Sequence, residues 1–141
     1  MKWAGESIRK GLYDVLTALG VNSYDMIAPQ EKPRTIYAIL GDYSQSSTNT
    51  KDTFTGTALV NIEITQPIQG QFGGRKPIDT ITNQLLTTLR PTTNSIGLTA
   101  AGFKIENIAL SSSFGQLVAN ENGGFKEYVN IIVLEITFNQ I

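Results

Sequence analysis

Residues 125–138 are the longest strand-type stretch in the chain, and both of their faces are apolar. Tyr128, Ile132, Leu134, Ile136 and Phe138 share one parity, while Ile131 and Val133 share the other. Side chains of a strand alternate between two faces, so a strand apolar on both belongs inside a sheet, covered by a helix or by another subunit.

A second strand reads more simply. Over residues 57–65, Ala58, Val60, Ile62 and Ile64 lie on one face and Asn61, Glu63 and Thr65 on the other. That alternation predicts an antiparallel strand covered on one side, with Leu59 a lone apolar residue on the exposed side. Pro67, Gly70, Gly73 and Gly74 end it.

Two amphipathic helices supply the cover. In residues 5–19, Ile8, Leu12, Val15, Leu16 and Leu19 recur at spacings of three and four, giving one apolar stripe. Glu6 lies in the first turn and Gly20 follows as a C-cap. Gly11 costs the helix about 1 kcal/mol relative to alanine. It serves either close packing on the sheet or nothing beyond a tolerated surface position. The second helix starts at Pro77, whose fixed φ suits a first turn, and carries Ile78, Ile81, Leu85, Leu86 and Leu89. Asp79 suits the positive end of the helix dipole and Arg90 the negative end, and Pro91 stops the helix.

The remaining segments are shorter. Residues 24–30 read as a brief extended stretch leading to a turn, and residues 36–40 as a mostly buried strand stopped by Gly41-Asp42. Residues 43–54 are dominated by Ser, Thr, Asn and Gln and predict a long polar loop or mobile arm. Residues 103–110 read as a strand of mixed facing, followed by a break or bulge at Ser111-Ser112-Ser113 and a turn at residues 120–124. The order is helix, short strand, strand, strand, helix, strand, strand. Two striped helices and a half-covered sheet bury their apolar faces only by packing together. The expected fold is α+β, with a largely antiparallel mixed sheet packed against two amphipathic helices. At 141 residues the chain suits one domain.

Composition narrows the function. There is no cysteine and no histidine, which excludes thiol and Ser–His nucleophiles and the usual zinc and haem sets. The carboxylates are scattered, without D-x-D spacing; Glu127 and Glu135 share a strand face but read as solvated or interface-paired charges. Gly70-Gln71-Phe72-Gly73-Gly74-Arg75-Lys76 lacks the Lys–Ser/Thr of a phosphate loop, and a flexible linker with a basic rim describes it better. No enzyme activity, metal or cofactor is therefore expected. The net charge of −1 gives no general attraction for nucleic acid or anionic lipid. No apolar segment approaches bilayer length and no signal peptide is evident, so a soluble protein made in the cytoplasm is expected. Charged residues are only 16 per cent, and the uncharged polar residues in their place cost less to desolvate where subunits meet. Isolated aromatics in polar connections, Phe54, Phe72 and Phe114, either anchor an interface or cap the local core.

The order of landmarks carries a resemblance. A helix ending Leu16-Thr17-Ala18-Leu19 leads to Val21-Asn22-Ser23-Tyr24-Asp25 and Ala28-Pro29. An extended stretch over residues 35–41, a polar loop and an alternating strand follow, then Gly73-Gly74 and the helix of residues 77–89. Across nearly the whole chain this layout resembles the tail terminator, or tail completion, proteins of long-tailed bacteriophages. The resemblance implies a structural virion protein at the head–tail interface, built as one domain over residues 1–141. It implies a homo-hexameric ring that caps the tail tube, ends its polymerisation and offers a docking surface to a head-completion or connector protein. It brings no membrane and no sequence-specific nucleic acid, and leaves the lumen open to passage of DNA. Carried across by position, Tyr43, Lys51, Asp52, Phe54, Phe72, Arg75 and Lys76 become the contact candidates. A head–tail connector or stopper ring, or a protein-binding module outside any virus, is the alternative.

Overall fold

The computed structural model describes residues 2–27, 35–49, 54–68, 74–119 and 126–141. Helix α1, Gly5–Ala18, forms on the stripe just described, with Ile8, Leu12 and Leu16 wholly buried. Gly20 ends it at φ 79°, its N–H donating to the Thr17 carbonyl while the Val21 N–H reaches Leu16. This is a Schellman stop, for which glycine is suited because a left-handed residue is strained when it carries a Cβ.

Strand β1, Asn22–Asp25, follows and pairs in parallel with β2, Tyr37–Asn49. Strand β3, Phe54–Ile68, runs antiparallel to β2. Helix α2, Lys76–Leu89, crosses over to β4, Phe103–Ala119, which pairs antiparallel with β5, Lys126–Gln140. The sheet order is β1-β2-β3-β5-β4, so β5 lies inside the sheet as its two apolar faces require. All pairings except β1–β2 are antiparallel, giving the α+β sheet-and-helix architecture expected.

Both helices lie on one face, α1 against β1 and β2 and α2 against β3 and β5. Beneath them Ala58, Val60, Ile62 and Ile64 meet Ile132, Leu134, Ile136 and Phe138 in one core. On the other face Leu59 stays exposed, as its position in the alternation predicts.

The segment read as a polar loop over residues 43–54 requires correction. Residues 43–49 continue β2, pairing with residues 54–60 of β3 after a bulge at Gly41 and Asp42. Ser and Thr give no apolar period here because the strand has outrun its cover, but backbone pairing with β3 holds it without one. Residues 50–53 lie outside the described part. Strand β4 likewise runs nine residues past the end expected at residue 110. Its mixed facing is explained by two register shifts, at Glu106 and at Ser111. Each inserts a residue and reverses the parity, so Phe103, Ile105, Ile108 and Leu110 all share the helix side.

Two close approaches lock the helices together. An added Cβ on Gly11 would strike the Thr99 carbonyl oxygen and stand 2.9 Å from Leu98 Cδ1. On Gly97 it would collide with the Thr88 carbonyl group at the end of α2. Residues 97–99 are thus wedged against both helices, and Gly11 serves this wedge rather than the sheet. Arg90 lies just past the last turn of α2 and ties the connection down, donating to the carbonyls of Thr92, Thr93 and Ile108.

Candidate assembly surfaces

Strand β4 is an outer strand of the sheet, and its lower half, toward its C-terminal end, is exposed on both faces over residues 109–118. Leu110 and Leu117 point to the helix side, opposite Leu134 and Tyr128, yet are 46% and 54% exposed because neither helix reaches them. Phe114 and Val118 point to the second side, opposite Ile131 and Glu127, and Phe114 is 55% exposed. From Asn107 to Ala119 there is no charged side chain. Edge strands ordinarily carry lysine, proline, a bulge or another device against pairing with other chains, and beyond its bulge at Ser111 this one has none up to Ala119. Of these residues sequence reasoning singled out only Phe114. The uncharged run was the available signal, but it carries meaning only once β4 is known to be an edge.

At the other side of the sheet, α1, β1 and the middle of β2 enclose an open groove of about 720 Å³. Trp3, Tyr13, Tyr24, Met26 and Tyr43 supply its apolar wall, with Arg9 and Asp25 among its lining. Trp3 is exposed and packs edge-on against Tyr43, ring centroids 4.9 Å apart. Arg9 pairs with Asp25 and donates to the Gly41 carbonyl at 2.5 Å, which pins the bulge of β2 to α1. This cation is thereby engaged within the chain.

Tyr43, one of the contact candidates, stands where the groove meets the free part of β2. Its hydroxyl donates to Gln45 Oε1 at 2.8 Å, and the same oxygen accepts the Ala4 N–H. Desolvation pushes the phenol up to about 12, outweighing the opposing charge of Arg9. The folded state therefore holds this proton more tightly than the unfolded chain, and stability falls as pH rises from about 10 towards 12. Replacing Tyr43 by phenylalanine should abolish that portion of the alkaline decline while removing one hydrogen bond. Urea midpoints of both proteins between pH 9 and 12 check this, and parallel curves would contradict it.

The other candidates lie apart. Phe54 opens β3 beside Phe103, Phe138 and Gln140 at the upper end of the sheet. Arg75 stands near the lower end, beneath α2, stacked 5.2 Å from the Tyr128 ring. The two positions are ten residues apart along β5, roughly 30 Å at strand rise. Arg75 also donates to Asn130 Oδ1, whose amide donates to Asp79 Oδ1 and Thr82 Oγ1, each at 3.0 Å. The largely buried Asn130 is satisfied by this network, which joins α2 to β5, so Arg75 has a structural task. Lys76 is exposed on the first residue of α2. Lys51, Asp52 and Phe72 lie outside the described residues. The structure therefore does not gather the described candidates into one site.

Both signs of charge occur on both sides: Glu63, Glu127 and Glu135 share the second face of the sheet with Lys104, and the helices and their ends carry Glu6, Asp14 and Asp79 beside Arg9, Lys10, Arg75, Lys76 and Arg90. Among the described residues no three carboxylates converge to hold a metal ion, and no helix is long and apolar enough to cross a membrane.

No protein-family profile matches the chain, and no curated protein sequence matches it. Solved structures do. A chain of the virion of a native gene transfer agent particle superposes with a TM-score of 0.62 at 10% identity, covering 97% of this chain and 99% of that one. At that identity the likeness is one of fold, and it runs from end to end.

Proposed function

We propose that this chain is a structural component of a phage-like virion, a six-membered ring that caps the tail tube and receives the head. The observation that carries the reading is the end-to-end fold likeness to a chain from a gene transfer agent virion, which covers 97% of this chain. The layout of sequence landmarks supports the same assignment independently of that likeness. So do the two exposed surfaces at opposite sides of the sheet, because a closed ring joins unlike surfaces head to tail. Acting only through surfaces, the protein is not an enzyme. Each copy presents one end to the last ring of the tube and a different end to a head-completion or connector protein, so tube subunits cannot add further. Six repeated weak contacts close into a stable whole through multivalency. The lumen leaves room for DNA to pass, and a net charge of −1 gives no general attraction to hold it.

Light scattering across a concentration series, followed by electron microscopy of the protein mixed with purified tail tubes, tests this. Six-fold rings on tube ends, with tubes that stop growing, are the expected result. A protein that stays monomeric both alone and with tubes overturns the reading. Rings that bind only the head side would make it a connector or stopper.

A further inference from the structure

We infer that the ring closes by strand addition: the lower half of β4 in one copy pairs, antiparallel, with the free upper half of β2 in the next. The inference rests on the ring reading above and names the contact that builds it.

Four observations carry it. First, β1 covers β2 only from Tyr37 to Leu40, and among the described residues no strand pairs with residues 43–49 on that side. Nor, among the described residues, does any strand pair with the outer side of β4. Among the described residues each copy therefore offers one unpaired stretch of strand at each side of its sheet, residues 43–49 of β2 and the outer side of β4.

Second, direction fits. In the sheet, β2 and β5 run one way and β3 and β4 the other. A rotation about an axis along the strands preserves strand direction, so it sets the β4 of one copy antiparallel to the β2 of its neighbour. Two-fold pairing of β4 with itself is also antiparallel, but it closes a dimer and leaves every β2 edge open. Head-to-tail pairing uses both the free part of β2 and that of β4 in every copy, leaving only the short outer side of β1 unpaired.

Third, chemistry fits. Residues 43–49 and 107–119 contain no charged side chain, so their meeting desolvates no ion. The aromatic groove of Trp3 and Tyr43 adjoins the free part of β2 on the helix side, the side to which Leu117 points. Leu117 of the incoming strand then gains an apolar seat it lacks in the single chain.

Fourth, the faces set the register. Tyr43, Gln45 and Ser47 lie on the helix side of β2, and Ser113, Gly115 and Leu117 on the helix side of β4. A one-residue slip would put apolar side chains on the wrong face, and seating Leu117 at the groove beside Tyr43 selects among the registers that remain: Tyr43 pairs with Leu117, Ser44 with Gln116 and Ser47 with Ser113. The free part of β4 stands near the lower end of the sheet and that of β2 near the upper end, so neighbouring copies are staggered along the strands. Strands of a closed sheet are tilted and staggered in this way.

Because the protein has no cysteine, disulfide trapping is clean. The double variant Ser47→Cys with Ser113→Cys, oxidised mildly, should give a covalent ladder ending at the ring, whereas either single variant should not cross-link. The pair Ser44→Cys with Gln116→Cys provides a second reading of the same register. Rings that form without cross-linking in either double variant overturn the strand pairing and leave the ring standing. Dimers from Ser113→Cys alone overturn it in favour of two-fold pairing. Absence of any ring in the parent protein removes both proposals. In parallel, Phe114→Lys with Leu117→Lys should abolish the ring while the thermal midpoint of the single chain moves by no more than about 2 °C, since both side chains are exposed. A ring that survives both lysines contradicts the inference.

Discussion

Replacing Gly97 by alanine should cost about 3 kcal/mol, near the upper end of what overpacking does to a well-filled site. The Cβ would stand 3.0 Å from the Thr88 carbonyl carbon and closer still to its oxygen, and both belong to helix backbone. A side chain can swing away from such an intrusion, but the last turn of α2 cannot without losing the bond from Gly97 N–H to the Leu89 carbonyl, 2.9 Å long. The displacement would travel, because the same segment leans on Gly11 of α1 two residues later. At this chain length 1 kcal/mol moves the thermal midpoint by roughly 3 °C, so a fall of about 10 °C is expected. Gly74→Ala is the control, since none of the described residues lies within 4 Å of its Cβ position, and it should shift stability by under about 0.5 kcal/mol. Equal midpoints for the two variants would show that the 97–99 wedge yields easily.

Leu85→Ala should destabilise by about 3–4 kcal/mol, within the span known for buried leucines. Leu85 is wholly buried on the face of α2 that rests on β3 and β5. Its neighbours in the core belong to the middle of the sheet and to the other helix, so they have little freedom to collapse into the space. The matching substitution Leu59→Ala makes the same chemical change on the exposed second face and should cost under about 1 kcal/mol. Urea unfolding separates them: the midpoint of Leu85→Ala should fall sharply with an unchanged m-value, while that of Leu59→Ala hardly moves. A similar loss at both sites would mean that the second face is covered in the folded chain.

Local chemistry sufficed for much of this fold. The stripes of α1 and α2, the alternation of residues 58–64 and the two-faced run ending at Phe138 are consequences of period and polarity, which neighbouring residues impose on one another. Gly20 and Pro77 marked helix ends because their backbones permit little else there. Where those signals were silent, the reading failed. Residues 43–49 carry no apolar period, and what makes them a strand is their pairing with residues 54–60, supplied by another part of the chain. The bulges at Glu106 and Ser111 hid the facing of β4 for the same reason, since parity counted along a sequence assumes an unbroken ladder.

The candidate surfaces divide along the same line. Sequence could name exposed aromatics such as Phe54 and Phe114, and it could name Arg75 as a cation near a helix start. Only the packed structure showed that Arg75 is occupied by Asn130 and Tyr128, that Trp3 and Tyr43 wall a groove, and that β4 is an edge. The sequence by itself determined which segments must hide their side chains and on which face, because hydrophobic burial follows a repeat that the chain carries locally. The tertiary structure alone decided which strands stand at the margins of the sheet, because strand order is a matter of long-range pairing that no local pattern encodes.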